Sequence, residues 1–239
     1  MKIVGHRGAK SILPENTLCG FHYLKNHGMG AVEFDVRQLI DGHLCVIHDD
    51  NFIRTSGVDK TVEQSSLSEL TNINQSWHFK DFIGFEKTPL LSEVLAVVGD
   101  FYHIEIEVKP VSTQENATRL IRTLHHEIRQ YVDDLTPITI TSFDVKILQA
   151  LSDYPHLKKG LLFNKSDTAS AIRLAKELDY QRIGWDYTLA TPDVIDKSHQ
   201  AGLAVSVWTV NDKQLVNVFK NLGVDALITD NPVLMSKAD

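Results

Sequence analysis

Three short stretches carry side chains that could do chemistry together: His6-Arg7-Gly8, Glu33-Phe34-Asp35 and Glu105-Ile106-Glu107-Val108-Lys109. Side chains alternate along an extended strand. Glu33 and Asp35 therefore share a face, as do Glu105, Glu107 and Lys109. Four carboxylates gathered in one place would repel strongly, and a divalent cation relieves that repulsion. All-oxygen ligands favour Mg²⁺, Ca²⁺ or Mn²⁺ over zinc. The competing reading is a buried ion-pair network with Arg7 and Lys109. Asp41-Gly42 reads as a two-residue hairpin turn that folds Leu44-Cys45-Val46-Ile47-His48 back along the second stretch. A turn centred between these two residues sets His48 opposite Asp35, and His6 reaches the same region from the first stretch. Two imidazoles that titrate near neutrality can serve as acid and base in one turnover. Together with a metal, Arg7 and Lys109, they suit a monoanionic phosphodiester. The cations neutralise the nonbridging oxygens while the histidines move protons. No G-x-S-x-G serine motif and no His-x-His strand of a zinc amidohydrolase is present.

These groups need a frame. β-rich apolar runs recur in the second half, starting near residues 137, 158, 181, 203 and 225, about 21 to 23 residues apart. Between them lie helical stripes: Ile147, Leu148 and Leu151; Ala171, Leu174, Ala175 and Leu178; Leu215, Val218, Phe219 and Leu222. Thr191-Pro192 reads as a helix start, Asn211 as the cap of the next helix, and Gly202 and Gly223 as helix stops. Alternating βα units imply a parallel sheet. The first half adds three strands, Lys2–His6, Ala31–Val36 and His103–Lys109, for a total of eight. The long gap after the second strand must hold an insertion, residues 42–88. A closed (β/α)₈ TIM barrel in one domain, residues 1–239, is the expected α/β architecture; such barrels typically take about 250 residues. A doubly wound open sheet is the alternative, but no glycine-rich nucleotide fingerprint supports it. On a barrel, the three stretches meet at the C-terminal mouth.

Composition agrees. The 239 residues are 43% hydrophobic and 23% charged, which excludes disorder and collagen-like order. A net charge of -7 argues against nucleic acid as a partner. No apolar stretch is long enough to span a membrane, so stable membrane insertion is not expected. Met1-Lys2 runs straight into Ile3-Val4 without a signal-peptide pattern, from which a cytoplasmic location is expected. Cys19 and Cys45 read as two buried thiols.

The ordered set of motifs closely resembles the glycerophosphodiester phosphodiesterase family. It comprises His6-Arg7-Gly8, Pro14-Glu15-Asn16-Thr17, Glu33-Phe34-Asp35-Val36, Asp41-Gly42, His48-Asp49, Arg54-Thr55, Glu107-Val108-Lys109-Pro110, Ser142-Phe143, Trp208-Thr209-Val210-Asn211, and Gly223-Val224-Asp225 with Thr229-Asp230-Asn231-Pro232. The resemblance runs from residue 5 to about 232. It implies a TIM barrel with a small insertion after strand two. The implied activity is metal-dependent cleavage of glycerophosphocholine, glycerophosphoethanolamine and similar small diesters to sn-glycerol 3-phosphate and an alcohol. By the same resemblance, Glu33, Asp35 and Glu107 are metal ligands for one Mg²⁺ or Ca²⁺, and His6 and His48 are the acid/base pair. Arg7 and Lys109 hold the phosphate. Glu15 lies near the site, with helix capping as its alternative role, and Trp208 walls the glycerol side unless it is a core aromatic.

One departure stands out: where the family usually has a neutral residue, often Asn, this chain has Glu105, a possible fourth ligand. Two rival functions remain open. One is a lysophospholipase D or sphingomyelinase D-like enzyme on a similar barrel, for which Trp77, Phe79, Phe82, Ile83 and Phe85 offer a lipid ledge; a lid packed on the barrel rim is the favoured reading of that segment. The other is a catalytically silent binding protein, against which the intact motif residues argue. His125-His126 read as solvated helix residues, and residues 62–69 as a polar loop and short cap.

Overall fold

A computed structural model describes residues 1–237. The strands in chain order are β1 (Lys2–His6), β2 (Ala31–Gln38), β3 (Leu44–Val46), β4 (Asn51–Phe52), β5 (Val58–Thr61), β6 (His103–Val108), β7 (Ile138–Ser142), β8 (Lys158–Phe163), β9 (Arg182–Asp186), β10 (Ala204–Trp208) and β11 (Ala226–Thr229). Eight of them pair in parallel around a closed ring, β1-β2-β6-β7-β8-β9-β10-β11 and back to β1. The second-half strands begin within one residue of the starts read from the sequence. The insertion after β2 holds β3, which extends the ring antiparallel to β2, and the separate β4-β5 ladder. It packs a satellite core of its own from Leu39, Cys45, Ile47, Phe52, Val62, Leu70 and Ile73.

The alternation along the strands explains both layers. Val32, Phe34 and Val36 of β2, and Ile104, Ile106 and Val108 of β6, are fully buried in the main hydrophobic core with the helices. Burial of each such side chain contributes about 1.5–3 kcal/mol, so this outer layer holds the ring together. The alternate residues face the barrel axis. There β2 and β6 run in register, with Ala31 beside His103, Glu33 beside Glu105 and Asp35 beside Glu107. Helix signals act as read at Thr191, whose side chain accepts from the Val194 N–H ahead of Pro192, and at Gly202 and Gly223, both left-handed. The 62–69 segment ends in a capping box between Ser66 and Glu69.

Several expectations need correction. The hairpin closes between Leu39 and His43, so its loop has three residues, Ile40-Asp41-Gly42, with Gly42 at φ 92°. Glycine at that left-handed position sets a three-residue loop and shifts the register by one. Ile47, not His48, therefore stands opposite Asp35, its N–H donating to the Asp35 carbonyl. Asp212, not Asn211, caps the helix Lys213–Asn221, and that helix buries Val216 while Val218 is 48% exposed. Cys45 is buried but Cys19 only half so. His126 is exposed as read, while His125 is half-buried, packing on Tyr154 and meeting His156. The aromatic segment of the insertion packs down only in part: Phe79 and Phe82 are half-buried, whereas Trp77 is 68% exposed, Phe85 57%, and Ile83 fully exposed. No helix among the described residues is long and apolar enough to cross a membrane.

Candidate active site

At the end of β1 the chain turns sharply through Arg7 and Gly8, both with positive φ (49° and 86°). A side chain rarely adopts that backbone, and here it is fixed from both sides. The Arg7 N–H donates to Glu33 Oε2 (3.1 Å), and the Arg7 carbonyl accepts from the Asn16 N–H (2.9 Å). The turn aims the guanidinium at Asp35 (Nε to Oδ2, 3.2 Å) and Glu15 (Nη1 to Oε1, 2.9 Å).

Glu33, Asp35 and Glu107 each bring a carboxylate oxygen into one cluster, all within 4.8 Å of one another, and all three residues are buried. Lys109, just past β6, reaches back to Asp35 (Nζ to Oδ1, 2.6 Å) and to Glu107. Burial and the neighbouring carboxylates drive Glu33 well above its usual range. Burial, opposed by Lys109 but joined by Asp35, lifts Glu107 to about 7. Asp35 is the exception: burial would raise it, but Lys109 and Arg7 hold it well below the usual range. Two cations thus face three acids. A hard divalent cation fits this donor set, because it supplies the charge the side chains lack.

The two histidines flank the cluster. His6 Nδ1 pairs with Asp230 Oδ1 at 2.6 Å, and His6 Nε2 lies 4.0 Å from Glu33 Oε2. His48 leaves the end of the hairpin, where Arg37 Nε donates to its carbonyl (3.0 Å), and its Nδ1 pairs with Asp49 Oδ1 at 2.6 Å. Donation from Nδ1 to a carboxylate leaves Nε2 as the proton-exchanging atom of each ring. Burial lowers both imidazoles from their ordinary value, against the pull of Asp230 on His6 and of Asp35 on His48.

His6, Arg7, Glu33, His48, Glu107, Phe143, Asn164 and Trp208 line one cavity of about 270 Å³. Trp208 stands in its wall, edge-on to Phe143 (centroids 5.6 Å apart). Glu105 also borders the cavity, but not as part of the acidic cluster. It lies deeper in the barrel, where Oε1 accepts from Ser206 (2.8 Å), pairs with His103 (2.9 Å) and faces Arg182 (3.6 Å). Glu15 does not cap a helix; its carboxylate is clamped between Arg7 and Arg54. Those contacts overcome its burial and bring it down to about 2.

The residue-by-residue reading missed the groups that orient the others. Fully buried Asn16 donates from Nδ2 to Asp35 Oδ2 (2.8 Å). Asp49 and Asp230 hold the histidines, Arg54 holds Glu15 and Asp49, and Asn211 Nδ2 donates to Asp230 Oδ2 (2.8 Å). All five lie inside the motif strings; Asn16, Asp49 and Asn211 stand within three residues of Glu15, His48 and Trp208, Arg54 six residues after His48, and Asp230 directly after β11. Place in the motif strings was the available signal.

Comparison with known proteins points the same way. A family model described as the glycerophosphoryl diester phosphodiesterase family matches residues 6–234. A glycerophosphodiester phosphodiesterase of Caldanaerobacter subterraneus is 28% identical, with 96% of this chain and 94% of that protein covered. One of Bacillus altitudinis is 26% identical, covering 97% and 95%. Among solved structures, a phosphodiesterase of Oleispira antarctica in complex with its product sn-glycerol-3-phosphate superposes with a TM-score of 0.88 at 24% identity, covering 100% of this chain and 96% of that one. The Thermotoga maritima glycerophosphodiester phosphodiesterase does so at 0.80 and 24%, covering 99% and 97%. With the match running from His6 through every cluster described above, the chain belongs to the glycerophosphoryl diester phosphodiesterase family.

Proposed function

We propose that this protein is a metal-dependent glycerophosphodiester phosphodiesterase, releasing sn-glycerol 3-phosphate and an alcohol from small diesters such as glycerophosphocholine and glycerophosphoethanolamine. One observation carries the reading: Glu33, Glu107, Arg7 and two aspartate-held histidines border a single cavity, with Asp35 and Lys109 packed directly against them. Glu33, Asp35 and Glu107 would hold one Mg²⁺ or Ca²⁺. When bound, it supplies Lewis-acid stabilisation of charge on a phosphate oxygen. Arg7 and Lys109 bind the remaining phosphate charge. One histidine takes the proton of the attacking hydroxyl through Nε2, and the other delivers a proton to the leaving alcohol. Asp49 and Asp230 keep both rings in the tautomer that leaves Nε2 free. Trp208 shields the glycerol side from water. The attacking hydroxyl belongs either to the glycerol, giving a cyclic phosphate, or to water; incorporation of solvent oxygen-18 with trapping of a cyclic product separates the two.

The direct test is release of glycerol 3-phosphate from a panel of diesters, with and without chelator. No release with any divalent metal would leave the silent binding protein as the better account. A second reading rests on the exposed Trp77, Ile83 and Phe85: cleavage of acylated, lysophospholipid-type diesters approached over an apolar ledge. Turnover on an acylated diester that exceeds turnover on its deacylated counterpart, and that falls in Ile83→Ser, would favour it.

A further inference from the structure

Beside the catalytic cavity lies a second one of about 150 Å³, between the root of the hairpin and the start of the helix Gln114–Tyr131. Its wall carries Arg37, Gln38, Asn116 and Arg119, with Glu63 on the rim. Arg37 is half-buried, yet its guanidinium makes one hydrogen bond, from Nε to the His48 carbonyl. No carboxylate comes within 4.0 Å of either Arg37 or Arg119 among the described residues. Asp50, Asp35 and Glu63 act on Arg37 only at longer range. Arg119 is exposed and donates to Asn116 Oδ1 on its own helix (3.0 Å). By contrast Arg7 and Arg54, at and beside the catalytic cavity, each meet two carboxylates. Two guanidinium groups left without anionic partners on one small polar cavity are the usual means of holding a tetrahedral oxyanion. The amino-terminal end of the adjoining helix adds positive potential.

We propose that this cavity is a second anion site, in which Arg37 and Arg119 bind a phosphate-class oxyanion, either inorganic phosphate or a small phosphomonoester. It is separate from the catalytic pocket, and Lys109 borders it while directing its ammonium to Asp35 and Glu107. The Arg37 Nε bond to the His48 carbonyl links the two. An anion that draws the Arg37 guanidinium toward Arg119 pulls on the backbone that carries His48. That link rests on the role proposed for His48; the binding itself does not.

The test is calorimetric titration of the full chain with inorganic phosphate in the presence of Mg²⁺, repeated with sn-glycerol 3-phosphate. Two classes of site are expected. Arg119→Gln weakens one of them at least about tenfold, the loss of one charge-assisted contact. It leaves diester turnover in phosphate-free buffer within about twofold of the parent, since Arg119 lies outside the catalytic cavity. Arg7→Gln removes the other class, and Glu63→Gln tightens the Arg119-dependent one. Tighter binding of the monoester at that site identifies product as its occupant; equal binding identifies free phosphate. A single class of site that Arg7→Gln abolishes overturns the proposal, as does a titration unchanged by Arg119→Gln or weakened by Glu63→Gln. An enzyme inactive on every diester that still shows the Arg119-dependent site would sink the proposed function and leave this one standing.

Discussion

Glu105 and Glu107 stand two residues apart on β6, on the same face, both buried, and their surroundings drive them in opposite directions. Burial would raise both. At Glu105, Arg182, His103 and Ser206 overcome it and hold the carboxyl at about 2. At Glu107, Lys109 is shared with Asp35, the other acids add repulsion, and the carboxyl rises to about 7. The barrel thus contains a layer in which Arg182 and His103 keep the carboxylate charged and, above it, a layer left short of positive charge. The second layer has the donor set that a hard cation would complete. Glu105 lies outside the acidic cluster; its Oε1 pairs with His103 and Ser206 on its own level, while its buried Oε2 has no hydrogen-bond partner.

The largest expected effect falls on the upper layer. Chelation, or Glu107→Gln, should cut glycerol 3-phosphate release by at least about 10³-fold, with chelated wild type recovering on Mg²⁺ or Ca²⁺ addition. Release that survives chelation would erase the distinction between the layers. His6→Ala and His48→Ala should each cost about 10²–10⁴-fold in turnover; losses under about tenfold in both would remove the acid/base assignment. On the lower layer, Glu105→Gln strips Arg182 of its charge partner. It should destabilise the fold by about 3 kcal/mol in denaturant titrations while turnover of the folded fraction stays within about threefold. Abolished turnover with unchanged stability would mean that the deeper carboxylate takes part in catalysis.

The smallest effects are the pH slopes, and they differ in sign. Glu105 is lowered on folding, so its contribution is present above about pH 4.5 and is lost as pH falls toward about 2. Glu107 is raised, so the metal-free fold binds an extra proton between about 4.5 and 7 and loses stability as pH rises through that window. Each slope is worth on the order of 3 kcal/mol over its range. Unfolding of chelated protein across pH, with and without Glu107→Gln, should show the upper slope shrink in the variant to the part that Glu33 carries. The same proton competes with the cation, so metal affinity measured by titration should weaken by up to about tenfold for each pH unit below 7.

Much of this was legible before any coordinates. Strand alternation put Glu33 with Asp35 and Glu107 with Lys109, and the regular spacing of βα units gave the closed ring, because both depend on periodicities that neighbouring residues express. The hairpin register lies one residue from the expected one because Asp41-Gly42 satisfies two loop types, and the register adopted buries Ile47 in the satellite core. Val218 departs from expectation for a similar reason: the stripe has two apolar edges, and the barrel surface buries Val216.

The amino-acid sequence on its own determined which titratable side chains are candidates for the site, which strands they ride on and which face they share, since these follow from residue type and local period. Only the tertiary structure decided how each charge is balanced. Asn16 against Asp35, Asp230 against His6, Arg54 against Glu15 and Arg182 against Glu105 are contacts between residues far apart in the chain. Whether a buried carboxylate is quenched or left to bind an ion depends on those distances, which closing the ring sets.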